Sequence, residues 1–222
     1  MVKANVACGP QIFAGWVNLD KVDMSEYVKF LLSAPPNGLP PGPQATLALR
    51  VQAAGHVDFR VHDLRKGLPF DTDTVDYIYA GQVIEHLNPL YEVPQFLAEC
   101  RRVLKPGGLA RISTPDLDLL LASYQSGDMS EFAVEQPQPY RDVSKPLRLV
   151  YLMFGSIGPN STTENYEGHM CCYNRISMKE TLERAGFQNM AFFKPGESQS
   201  AIFREETIDT GISHSLFAEA QK

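Results

Sequence analysis

The chain has 222 residues, 44% of them hydrophobic and 21% charged, which suits one soluble α/β domain with a sizeable core. The net charge of −6 argues against a nucleic-acid groove, because phosphate binding needs a basic footprint. No apolar run approaches the roughly 18 residues of a membrane span. Cys8, Cys100, Cys171 and Cys172 show neither disulfide nor metal spacing, so a reducing, cytoplasmic setting without a metal is expected.

Ala4–Cys8 reads as a first strand and not a signal peptide, with no room ahead of it for a covering helix. Gly15–Asp20 reads as a second strand. The link of about six residues is too short for a crossover helix, so the Cys8-Gly9-Pro10 turn and a loop must serve. Met24, Tyr27, Val28, Leu31 and Leu32 have the spacing of an amphipathic helix. Ser33–Pro43 holds five prolines and reads as a loop, followed by a short helix over Thr46–Ala54. Val57–Val61 and Val75–Ala80 read as the third and fourth strands. Tyr91–Leu104 is the clearest helix: Val93, Phe96, Leu97, Cys100, Val103 and Leu104 form one stripe, and Arg101, Arg102 and Lys105 suit its C-terminal dipole. Lys105-Pro106-Gly107-Gly108 stops it, and Leu109–Ser113 is the fifth strand. Helices are expected around Leu117–Tyr124 and Pro146–Phe154, separated by a Pro-rich stretch at Gln136–Pro139. Residues 158–168 are polar and loop-like. Ser177–Ala185 reads as a helix with a Ser177/Glu180 capping box and a Gly186 stop. Phe187–Lys194 and Ser213–Ala220 are the last expected strands.

Residues able to do chemistry gather at the expected strand ends, where open α/β sheets bind ligands. Gly9 would let backbone N–H groups approach a ligand carboxylate. Asp20 ends the second strand, where a carboxylate accepts from vicinal hydroxyls or simply caps a loop. Asp63 follows the third strand after His62, and Gly81-Gln82 follows the fourth. Glu85-His86 opens the next helix at the cleft rim, where His86 either lines a site or caps the helix.

Three blocks, VKANVACGPQIFAGWVNLD from Val2, DFRVHDLRKGLPFDTDTVDYIYAGQVIEHL from Asp58 and CRRVLKPGGLARISTPD from Cys100, resemble the class I S-adenosylmethionine-dependent methyltransferases. The resemblance spans Lys3–Asp116 and continues more faintly through Gly168-His169 and LERAGF at Leu182–Phe187. Within the class the chain is similar to small predicted methyltransferases with CGP…GWxNxD and VDxIYxxxxxEHL. That subgroup is often associated with surface-polysaccharide or secondary-metabolite pathways, an analogy weak for function.

The resemblance implies a Rossmann-like class I methyltransferase fold: a mostly parallel seven-stranded sheet flanked by helices, with the last strand antiparallel. A single domain over 1–222 is expected, with a Pro-rich insertion at about 24–56 that shapes a lid or oligomer contact, and a lid or substrate region at about 117–176. The implied cofactor is S-adenosyl-L-methionine. Its contacts would come from the turn Ala7, Cys8, Gly9 and Pro10, from Asn18, and from Asp20 on the ribose side. His62, Asp63 and Leu64 would meet the adenine; Gly81, Gln82 and His86 would meet the methionine part and methyl group.

The implied reaction is methyl transfer to an oxygen or nitrogen of a small molecule such as a sugar or secondary metabolite, without nucleic acid or membrane. His169 is the first choice as general base, with its titration range and its Gly-His position; His86 and Asp116 follow, then Tyr140 and Tyr173. Arg141, Arg148 and Arg175 either bind an anionic acceptor or form a solvated face. Leu147, Leu149, Val150, Leu152, Met153 and Phe154 are lid core or a homodimer face.

Two departures stand out. Ala7 occupies a position where glycine is usual, and Pro10 lacks an N–H. Ala7 supports an alternative reading as a non-catalytic cofactor-binding scaffold or partner subunit. An oxidoreductase or epimerase would need GxGxxG, which Cys8-Gly9-Pro10-Gln11 does not supply. A nucleic-acid or protein methyltransferase would bring an Asn/Asp-Pro-Pro-Tyr motif or a basic stripe, and neither is found.

Overall fold

A computed structural model describes residues 1–35, 38–39, 43–130, 143–154, 168–206, 209 and 214–222. Among these, β1 (Lys3–Val6), β2 (Val17–Asp20), β3 (Asp58–Val61), β4 (Val75–Gly81), β5 (Leu104–Pro115), β6 (Gln188–Phe193) and β7 (Ser215–Gln221) form one sheet in the order β3-β2-β1-β4-β5-β7-β6. β1 to β5 are parallel; β7 pairs antiparallel with both β5 and β6. This is the mixed sheet expected, with β7 the reversed strand. Strand order reverses between β1 and β4, and their carboxyl ends define the crevice where such sheets bind ligands.

Burial follows position in the sheet. Edge strand β3 is largely exposed, whereas β7, between β5 and β6, is buried through Ala220. Glu219 is a charge in that central strand. Its partner is Arg111 of β5, whose Nη1 donates to Glu219 Oε1 at 2.6 Å; the same guanidinium pairs with Asp209 and lies over the Phe217 ring. A buried charge is tolerated when it is paired and hydrogen-bonded in this way.

The link from β1 to β2, residues 7–16, contains no helix. It does a crossover helix's packing by tucking Ile12, Phe13 and Trp16 into the interior. Asn18 of β2 fastens it. Asn18 Oδ1 accepts from the Phe13 amide and the Asn5 side chain at 2.9 Å each, and Asn18 Nδ2 donates to the Phe13 and Trp16 carbonyls at 3.0 Å each. Phe13 and Trp16 then join Tyr79, Leu47 and Phe203 in a largely aromatic cluster on that side of the sheet.

Residues 24–56 carry α1 (Ser25–Ser33) and α2 (Pro43–Ala54). They pack on each other through Val28, Leu31, Ala48 and Val51, joined by Cys8 and Ile12. Gln52 Nε2 donates to the Leu31 and Ala34 carbonyls at 2.8 Å each. The pair joins the parallel neighbours β2 and β3, which require a long crossover. The apolar face of α3 (Glu92–Val103) packs on the sheet as its periodicity predicts, with Val93, Phe96, Leu97, Cys100 and Val103 buried.

Several boundaries differ from expectation. β5 begins at Leu104, so the Lys-Pro-Gly-Gly segment lies inside it as an irregularity that shifts register between Val75 and Tyr77. Gly107 absorbs the bend with φ of 79°. The helix expected from Ser177 is α6 (Arg175–Arg184); its N-cap is Asn174 and Ser177 is the N3 partner, because the Asn174 side chain accepts from the Ser177 amide. α7 (Ala201–Glu206) forms where no helix is expected, anchored by buried Phe203. α4 (Leu117–Ser126) and α5 (Lys145–Phe154) pack through Leu120, Leu149, Leu152 and Met153, while Leu147, Val150 and Phe154 face outward. The stretches 136–139 and 158–167, with Tyr140 and Arg141, lie outside the described residues. No helix among the described residues is long and apolar enough to cross a membrane.

Candidate active site

A cavity of about 850 Å³ opens at the carboxyl ends of β1, β2, β3 and β4. Its size fits a drug- or cofactor-sized ligand. Asp20 reaches its wall from the end of β2 and is nearly buried. Its Oδ2 accepts from the Gly9 amide at 2.7 Å and its Oδ1 from the Val22 amide at 2.8 Å. Each oxygen keeps a lone pair for a ligand hydroxyl. Two residues on the wall adopt the left-handed region without being glycine: Ala7 with φ of 50° and Gln82 with φ of 57°. Such strain persists where the surroundings over-determine it and clusters at functional sites. At Ala7 the chain therefore takes the path a glycine would take. Gln82 is held by its amide donating to the Ser113 carbonyl at 2.9 Å and its side chain reaching the Ser113 and Ser215 hydroxyls.

This architecture has sequence and structural relatives. A family described as "Methyltransferase domain" matches residues 38–112. A probable S-adenosylmethionine-dependent methyltransferase from Mycolicibacterium smegmatis is 41% identical over 73 residues, covering 33% of this chain. That matched segment is 27% of the relative's own length. A solved S-adenosylmethionine-dependent methyltransferase from Methanosarcina mazei superposes with a TM-score of 0.51 at 14% identity, covering 99% of this chain and 91% of that one. A Listeria monocytogenes structure superposes at a TM-score of 0.53 and 10% identity, covering 100% and 90%. Residues 38–112 thus match a methyltransferase-domain family, and the chain shares the fold of these solved structures.

Of the residues expected to touch a cofactor, Ala7, Gly9, Asp20, His62, Asp63, Leu64, Gln82 and His86 line the cavity. Four do not, for separate reasons. Cys8 is buried among Ile12, Val28 and Leu31, and its thiol is pushed far up by burial. Pro10 is exposed on the outside of the turn. Asn18 is consumed by the loop hydrogen bonds described above. Gly81 is required by packing, since a Cβ there would meet the Tyr79 ring at 2.7 Å. The turn also spends its donors internally: the Cys8 amide donates to the Leu19 carbonyl at 2.9 Å and the Gly9 amide to Asp20. The expectation that the Gly9 N–H meets a ligand carboxylate is therefore corrected.

His62 Nε2 sits 2.7 Å from the Gly67 carbonyl, which makes that nitrogen the donor. Asp63 caps the 3-10 turn Leu64–Lys66 and is gripped by Arg65, with Nη2 2.7 Å from Oδ2. The Arg65 guanidinium holds its carboxyl down to about 2. Lys21, Val22, Met24, Arg65, Val83, Leu87, Asn88, Glu92 and Met170 also line the cavity and were not singled out from sequence as cofactor contacts. Most of them follow a strand end by one to six residues, so position after Asp20, Asp63 and Gln82 was their available signal.

The catalytic candidates separate. Asp116 is the N-cap of α4, accepting from the Asp118 amide at 3.0 Å, and does not line the cavity; burial raises its carboxyl. Tyr173 is buried, and Arg175 stacks over Phe192. His169 lies behind His86, the two rings 4.9 Å apart and edge to face. Glu85 and His86 form a 3-10 turn, Ile84–His86, where a helix opening was expected. Glu85 is fully buried. Burial pushes its carboxyl up to about 8, and the nearby Thr114 hydroxyl only partly opposes this. Neither Glu85 carboxylate oxygen makes a hydrogen bond among the described residues.

Proposed function

We propose that the chain catalyses methyl transfer from S-adenosyl-L-methionine to an oxygen or nitrogen of a small molecule. The observation that carries the reading is Asp20: a carboxylate at the end of β2, on the wall of a cofactor-sized cavity at the point where strand order reverses. Asp20 would hold the ribose hydroxyls with the lone pairs its two amide partners leave. Leu64 and the edge of Asp63 would meet the adenine, the latter in competition with Arg65. Ala7 and Gln82 would flank the methionine part. The cofactor, when bound, supplies an electrophilic methyl group on sulfur. The protein's contribution is to seat the acceptor in line and keep water out.

The acceptor's heteroatom would lie beside His86 on the cavity wall, where an imidazole would take up the proton that atom releases. Asp116 has a lesser claim, because its carboxylate is occupied as a helix cap. A net charge of −6 supports a small acceptor over a polyanion. All four cysteines are free thiols, in keeping with a reducing compartment such as the cytoplasm. The scaffold alternative loses its main argument, because Ala7 adopts the glycine-like φ of 50°.

Isothermal titration with S-adenosylmethionine and S-adenosylhomocysteine is the test. Micromolar binding of both, weakened more than ~10-fold in a folded Asp20→Ala variant, is expected, since removing a group that accepts two ligand hydroxyls costs over ~1.4 kcal/mol. Absence of binding to either ligand would overturn the reading.

A further inference from the structure

We infer that Glu85, His86 and His169 bind one divalent transition-metal ion, with zinc as the natural occupant by ligand type. One ligand atom from each residue lies within 4.8 Å of the others. A tetrahedral ion with bonds of about 2.1 Å holds its ligand atoms about 3.4 Å apart, so side-chain rotations of about 1 Å would close the set. The backbone already holds the group together. The amides of Met170 and Cys171 donate to the Glu85 carbonyl at 2.6 and 3.4 Å, clamping the His169 segment against the Ile84–His86 turn. Ile84 anchors that turn in the core.

The second, independent observation is Glu85 itself. Its side chain is fully buried, and among the described residues neither carboxylate oxygen has a hydrogen-bond donor. No lysine or arginine among the described residues pairs with it. A carboxyl group buried without partners carries a desolvation cost that a bound cation would offset. Two imidazoles and one carboxylate form a donor set that suits zinc or another late divalent ion far better than magnesium or calcium, which take oxygen ligands. Three protein ligands leave a coordination position open, as catalytic zinc sites do.

His86 lines the cavity, which places one of the three ligands on its wall. There the ion would bind the acceptor's heteroatom and lower its pKa, the released proton passing to water. In that state both histidines are ligands, and the ion rather than an imidazole does the work of a base. This last step rests on the methyl-transfer reading; ion binding does not.

The experiment is to strip the purified full chain with a chelator, then titrate it with zinc by calorimetry and with cobalt by visible absorption. One zinc per chain is expected, with the intense visible bands of tetrahedral cobalt. Glu85→Gln and His169→Ala should each weaken zinc binding more than ~10-fold with the thermal transition retained. Cys171→Ser with Cys172→Ser should leave it unchanged. No zinc binding, or binding that persists in both ligand variants, or loss in the cysteine variant alone, would overturn the proposal. Titrating S-adenosylmethionine into the same samples separates the two ideas: cofactor binding without zinc sinks only the ion site, and zinc binding without cofactor sinks only the methyl-transfer reading.

Discussion

Asn18 shows how one side chain takes over the work of a missing helix. Its amide oxygen and nitrogen bond to Phe13 and Trp16, in the second half of the 7–16 loop, from a fully buried position. Truncating it strands several buried backbone groups at once. Asn18→Ala is expected to cost about 2–4 kcal/mol in chemical denaturation, with native-like cofactor affinity in whatever fraction stays folded. A loss of affinity without a loss of stability would instead restore Asn18 to the binding site. Asp76 is a second residue with a measurable signature. It accepts from Lys105 at 2.9 Å and from the Val2 amide at 2.6 Å, and the Lys105 ammonium is the main cause holding its carboxyl below the usual range. A depressed carboxyl stabilises the fold above the unfolded pKa and loses that effect as pH falls through the folded one. Allowing for the solvent around Lys105, Asp76→Asn should cost about 1 kcal/mol at pH 7, with the gap from wild type closing below about pH 4. A gap unchanged across an acid denaturation series would contradict this.

Among the elements, β5 and β7 depend on each other through a charge pair as well as a ladder. Glu219→Ala would leave Arg111 buried with only Asp209 against it, and a cost of about 3–5 kcal/mol in urea unfolding is expected. A cost under ~1 kcal/mol would mean that water reaches the guanidinium. Periodic elements were legible from sequence: the α3 stripe from Val93 to Val103 and the apolar run of β4 announce themselves through local spacing. So were the strand ends that carry Asp20, Asp63 and Gln82. What stayed hidden depends on contacts distant in sequence. Glu219 in a central strand makes sense only once Arg111 faces it 108 residues away. Gly81 looked like a ligand-facing glycine, yet it answers to the Tyr79 ring. Asn18 and Asp20 sit two residues apart, and nothing local says that one fastens a loop while the other faces the cavity.

At the scale of the whole molecule, the cavity draws on four strand ends, so a ligand there ties otherwise separate segments together. Binding only the folded state at 100 times its Kd adds about 2.7 kcal/mol, and S-adenosylmethionine should raise the thermal midpoint by several degrees in wild type but not in Asp20→Ala. An equal shift in both proteins would place the ligand elsewhere. The sheet order has a further consequence, for how the chain is made. β7 is synthesised after β6 but sits between β6 and β5. Until Ser215–Gln221 leave the ribosome, the inner edge of β5 has no neighbour and Arg111 lacks its Glu219 partner. A nascent chain halted before that point exposes a bare strand edge of the kind that recruits other chains. Such a chain would depend on chaperones for as long as its last strand is missing.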